Sequence, residues 1–364
     1  KELLLKVSFS TVGFSRAELS CDSLTGSFEE TSEKAYDIWN SFLSAIDIDT
    51  EDESLKGKFY SCFYHSLIKP SILTGENVLG VEGDTVTDLA TLWDQYKTLL
   101  PLIYLLYENE GRKIADGIIN ISRTMGKIPC SFGMSDVFPC EEQAKMLGII
   151  TLCDAFYMGL ADEKAITECM KRELEREDVR NFLKEIEKCL KRELSQKDCI
   201  KFLKTGYFER YTHILDVTDA CGFVSEITED TELKGRLSGI RGFMKNAYGE
   251  DGLMSVNSNY YEGDRYTYSF RLGYDMKERI RLSCGEDSFM KQLDSFFGFG
   301  KESVKQVTTT ENPGRLIRER SCHRFEGFNN ECDMETPFAY IFCNGHEKLC
   351  RIVDAAVNVS FKQC

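Results

Sequence analysis

Apolar positions recur along most of this chain at helical spacing, and polar stretches interrupt the pattern. The start differs: Leu3, Leu4, Leu5, Val7 and Phe9 make residues 3–12 read as a β-strand, followed by a polar loop. From Glu29 to Ile48, Ala35, Ile38, Phe42 and Ile46 fall near helical spacing. An acidic loop at 47–53 precedes Lys58–Ile68, where Phe59, Phe63 and Leu67 stand at i, i+4 and i+8. Residues 70–90 carry turn residues and glycines, a loop with room for short strands. Leu89 to Tyr107 predicts a strongly apolar helix broken near Pro101. Further helices are expected over 113–125 and 141–160, separated by the Gly/Pro/Cys loop 126–140.

Residues 161–204 are charge-dense, but Met170, Leu174, Phe182, Ile186 and Leu190 still trace a stripe, the pattern of a solvated amphipathic face. Helices at 210–227 and 231–247 end on a Gly249-Glu-Asp-Gly252 turn, and the last are expected at 275–283, 286–297 and 336–357. Helix follows helix, with elaborate loops at 70–90, 126–140, 250–270 and 305–335. The expected fold is therefore mainly α: an (α/α)6 barrel, incomplete, preceded by a short β-strand and linker.

Composition narrows the function. Hydrophobic residues at 42% suffice for a large core, and the formal charge of −15 argues against a nucleic-acid partner. The longest apolar run, Leu99 to Tyr107, contains Pro101 and is far shorter than the roughly 20 residues that span a bilayer. The N-terminus lacks the apolar core and cleavage site of a signal peptide. Fifteen irregularly spaced cysteines in a chain of 364 residues read as reduced thiols packed in the core.

The densest chemistry lies in Arg324-Phe-Glu-Gly-Phe-Asn-Asn-Glu-Cys-Asp-Met-Glu-Thr-Pro-Phe338. Carboxylates and amides set between aromatics suggest a cavity wall, and hard oxygen donors suit Ca²⁺. Cys343, His346 and Cys350 mimic a zinc set, yet a seven-residue spacing suits a packing stripe better. In Tyr260-Tyr-Glu-Gly-Asp-Arg-Tyr-Thr-Tyr268, Glu262 stands among tyrosines; an aromatic pocket raises a carboxyl pKa and makes a general acid. Pairing of Glu262 with Arg265 in a structural turn is the other reading. Trp93-Asp94 is a pair that holds a sugar, or a core Trp beside a capping Asp.

Taken in order, these segments resemble the family 92 glycoside hydrolases, calcium-dependent exo-α-mannosidases. Phe59–Pro70, Leu89–Pro101, Tyr261–Phe270 and Gly285–Phe297 are similar to that family's motifs, and Arg324–Tyr340 is similar to a subgroup's RFEGFNNEPDMEAPYAY. The resemblance implies an (α/α)6 catalytic barrel and hydrolysis of terminal α-mannosyl residues of mannose-containing glycans with inversion. It puts Glu262 at the general acid, Trp93 and Asp94 in the mannose pocket, and Asn330 and Glu331 at a Ca²⁺ site. Residues 1–26 then correspond to the terminal strand and linker of a β-sandwich, and 27–364 to the barrel domain. The catalytic base of relatives lies in a later GxxDxG segment, and no such segment follows Glu331 here. Met334 replaces an expected polar ligand, with Asp333 or Glu335 as substitutes. The chain thus reads as a fragment cut at both ends. An inactive carbohydrate-binding remnant and another α/α-barrel carbohydrate enzyme are the alternatives.

Overall fold

The computed structural model describes residues 3–76, 80–81, 83–89, 91–133, 145–191, 193, 210–254, 260, 265–297, 299 and 331–357. The chain is mainly helical, with one two-stranded sheet among the described residues. No helix there is long and apolar enough to cross a membrane. It divides into two compact units, residues 1–140 with 154–165, and residues 141–153 with 166–364.

The first unit corrects the expectation for the N-terminus. Residues 3–12 form no strand, and the helix Phe14–Ser23 stands where a loop was expected. A strand needs a partner for its backbone groups, and no strand among the described residues pairs with this segment. Leu3, Leu5 and Phe9 are 90%, 80% and 73% exposed. Side chains hold the segment instead: Glu76 accepts from the Thr11 N–H at 2.6 Å and from the Ser10 hydroxyl at 2.9 Å. The helix Phe28–Leu43 starts at a capping box, in which Ser27 Oγ accepts from Glu30 N–H and Glu30 accepts from Ser27 N–H. The acidic loop supplies the next cap, since Asp52 accepts from the N–H groups of Ser54 and Leu55 at the head of Glu53–Ser66.

The loop at 70–90 contains β1 (Ser71–Leu73) and β2 (Thr85–Thr87), paired antiparallel with Ile72 opposite Val86. The apolar stretch 89–107 is two helices, Leu92–Gln95 and Leu99–Leu106. Pro101 sits in the first turn of the second, where its missing N–H costs nothing. The helix Glu108–Met125 then covers β2 so closely that a Cβ on Gly117 would lie 2.9 Å from Val86 Cγ1.

The second unit continues from the helix Leu147–Tyr157, which the division cuts after Cys153. In Glu163–Glu175, Met170 and Leu174 are buried as their spacing predicts. In Glu177–Leu190 the buried stripe is Val179, Leu183 and Ile186, while Leu190 is 38% exposed. The inward face thus sits about one position away from the one expected. Arg210–Ile227 and Thr231–Arg241 follow, the latter running into a 3₁₀ turn at Gly242–Ala247.

Phe289, Leu293, Phe296 and Phe297, on the helix Glu286–Phe297, anchor a core completed by Phe270, Ala339, Tyr340, Cys343 and Ile352. The single helix expected over 336–357 is two, a 3₁₀ segment Thr336–Cys343 and the helix His346–Ala355. They meet at Asn344, whose left-handed φ of 57° ends the first. Nine described cysteines are free, and Cys130, Cys153, Cys169, Cys221 and Cys343 are buried as expected of core thiols. Cys189 departs from that expectation, because it is disulfide-bonded.

Candidate functional site

The acidic motif enters the described structure at Glu331, which opens the short helix Glu331–Glu335. Thr336 begins the following 3₁₀ segment, with Pro337 in its first turn, and the segment buries Ala339, Tyr340 and Cys343 in the second unit's core. That packing fixes where the helix ends. Glu331 is half-buried, and Met334 is 37% exposed, so its thioether faces solvent. Glu335 is turned inward. Its Oε1 lies 3.2 Å from Arg271 Nε, and its Oε2 accepts from the Leu272 N–H at 3.3 Å.

Beneath that contact lies a buried ionic network. Arg271 Nη2 is 2.9 Å from Asp216 Oδ1, both side chains being nearly inaccessible. Arg279 Nη2 donates to Asp219 Oδ2 at 2.7 Å, and Arg279 Nη1 donates to the carbonyl of Arg271. Both aspartates stand on the helix Arg210–Ile227 three residues apart, hence on one face. Burial works against the Arg279 charge, and Asp219 together with Tyr248 more than offsets it, so its pKa rises. The Tyr248 hydroxyl beside this pair is pushed up to about 12 by burial. A Cβ on Gly273 would run into Arg279 Nη2 and Asp219 Oδ2, so only glycine fits there. The guanidinium of Arg271 also covers the Tyr268 ring, 5.4 Å from its centroid.

Other residues of the aromatic motif stand nearby in the same unit. Tyr260 stacks on Tyr268 at 5.2 Å between centroids. Arg265 makes a bidentate pair with Asp251 at 2.8 and 2.9 Å, and donates to the Met254 carbonyl. Glu262 and Asn330, expected as general acid and metal ligand, lie outside the described residues, as does the Asp333 side chain. Cys343 is buried, its Sγ directed at the carbonyls of Ala339 and Tyr340, while Cys350 is exposed.

In the first unit Leu92 N–H donates to the Cys130 carbonyl at 2.8 Å, fixing the start of Trp93-Asp94. Trp93 is buried and stacks on Tyr96. Asp94 Oδ2 accepts from the N–H and hydroxyl of Thr91, both at 3.0 Å, which makes it part of a capping box, and its side chain is exposed. One acid here escaped sequence reasoning. Burial pushes Asp154 up to about 6, partly opposed by Lys97, whose ammonium lies over Tyr96. Its only signal was position: a lone carboxylate inside the apolar run Leu147–Tyr157.

Among the described residues, no cluster of three or more His, Cys, Asp or Glu could hold a metal ion. The donor chemistry of Asn330 and Glu331, an amide and a carboxylate, still fits a calcium ion. Glu335 does not join that set, because its carboxylate serves Arg271.

These elements define a class first: a mainly helical chain with the fold of three solved glycosidase structures. One is the family GH92 inverting mannosidase from Bacteroides thetaiotaomicron VPI-5482, similar at a TM-score of 0.62 with 16% identity over 94% of this chain and 54% of that one. The others are of a family GH92 α-mannosidase from Bacteroides thetaiotaomicron. One, with 16% identity, covers 95% of this chain and 47% of that chain; the other, in complex with mannoimidazole and with 13% identity, covers 96% and 49%. Both have a TM-score of 0.66. The chain thus spans about half the length of the solved structures it matches. No curated protein sequence matches it. The chain belongs to glycosyl hydrolase family 92, whose catalytic-domain pattern matches residues 15–231 and 222–364.

Proposed function

We propose that this chain is a catalytic portion of a calcium-dependent α-mannosidase that removes terminal mannose with inversion. The observation that carries the reading is the family 92 catalytic-domain match along almost the whole chain. Glu262, set among tyrosines in sequence, holds the proton that passes to the glycosidic oxygen as the bond breaks. Asn330 and Glu331 hold the calcium ion. When bound, the ion supplies charge stabilisation and grips sugar hydroxyls. Asp94, exposed and steadied by Thr91, accepts from mannose hydroxyls, and Trp93 shapes the pocket wall beside it. Inversion requires a second carboxylate roughly 6.5–9.5 Å from the acid, with a water between them. On this reading, residues 1–26 are the junction to a β-sandwich and 27–364 the barrel domain.

Because relatives carry the water-activating carboxylate in a later segment, the test is release of β-mannose from an aryl α-mannoside by the protein that contains this chain, followed by NMR. Loss of release in chelator, its return with calcium, and its abolition by Glu262→Gln are the expected results. Full activity in excess chelator would sink the calcium assignment, and an active Glu262→Gln would sink the acid. Mannose binding without release would favour the carbohydrate-binding reading.

A further inference from the structure

We propose that Arg271 and Glu335 form a strut that positions Glu331, an inference resting on the reading of Asn330 and Glu331 as calcium donors. The helix Glu331–Glu335 has five residues, too few to hold its own shape in water. The core-packed 3₁₀ segment that follows fixes its end, and what its side chains grip sets its rotation. Glu335 gives Oε1 to Arg271 and Oε2 to the Leu272 N–H. Arg271 passes the load to Asp216, on the 18-residue helix Arg210–Ile227. Its backbone is held in turn by Arg279, which is fastened to Asp219 on the same helix. The short helix is thus tied to the long one through a guanidinium that is 2% exposed.

Glu331 and Glu335 are at i and i+4, so they share a face. A pull on Glu335 toward Arg271 therefore sets the rotation of the helix and the direction of Glu331. Met334, one position before Glu335, is exposed. The arrangement gives the two acids separate jobs: Glu331 binds calcium, and Glu335, 11% exposed, orients it. Supporting groups of this kind typically change metal affinity by about 10–100-fold.

Glu335→Gln keeps the shape and removes the charge that Arg271 meets. Calorimetric calcium titration of the full chain is expected to show an affinity about 10–100-fold weaker than in the unaltered chain, with the helical circular dichroism unchanged. Its activity should fall at low calcium and recover at saturating calcium, a rescue that a purely structural role would not produce. Glu331→Gln serves as the reference. If it weakens calcium binding while Glu335→Gln binds as tightly as the unaltered chain, the strut is wrong and the calcium reading stands. If neither variant changes affinity, the calcium reading fails and takes the strut with it. Should Glu335→Gln not fold, Glu335→Asp, which keeps the charge on a shorter arm, decides: weakened binding supports the strut and unaltered affinity overturns it.

Discussion

Single residues carry costs that the contacts around them set. Gly273 is one: any side chain there meets the buried Arg279–Asp219 pair, which has no room to yield. Gly273→Ala should destabilise the fold by about 1–3 kcal/mol, read as a lower midpoint in urea at unchanged slope. Asp154 is another. Its folded-state pKa of about 6 stands above the ordinary 3.8 because burial disfavours the charge. Its contribution to stability is therefore full below about pH 4 and is lost as pH rises toward and through 6. Asp154→Asn should remove that slope and raise stability at pH 7.5 by about 2–3 kcal/mol. A denaturation series from pH 4 to 8 checks both, and an unchanged slope would overturn the assignment.

At the scale of elements, the second unit depends on how Glu286–Phe297 buries its aromatic face. Phe296 contacts Phe270, Phe297 and Tyr266 ring to ring, and is 1% exposed. Phe296→Ala should cost about 3–5 kcal/mol, because the rigid rings around it cannot close the space. The same core seats the 3₁₀ segment Thr336–Cys343, so the variant should also loosen calcium binding at Glu331. In the first unit, Gly117 lets the helix Glu108–Met125 lie against β2. Replacing it with leucine should separate helix from sheet, measurable as faster hydrogen exchange at Thr85 to Thr87. Helix existence was legible from apolar spacing here, but the breaks were not. Thr98, Asn344 and Arg176 interrupt patterns that periodicity alone reads as continuous.

For the molecule as a whole, the formal charge of −15 means any divalent cation stabilises it somewhat by screening. The proposed calcium site would add to that. Calcium at about 100 times its dissociation constant should contribute about 2.7 kcal/mol, with magnesium at equal concentration as the screening control. Equal melting temperatures in the two salts would leave no specific site. The sequence by itself determined the mainly helical fold and the family, since periodicity and ordered motifs are local properties of the chain. It also identified Glu331 and Asp94 as residues with chemistry to offer. What it could not supply was which partner each charge finds. Nothing in Ile214-Leu-Asp-Val217 points to the partner of Asp216, and Glu335 read as a substitute calcium ligand. Only the tertiary structure brought Arg271 between them, because residues 216, 271 and 335 are distant in the chain and meet through packing alone. Likewise the N-terminal apolar stretch had the composition of a strand, but among the described residues no strand lies beside it to pair with its backbone.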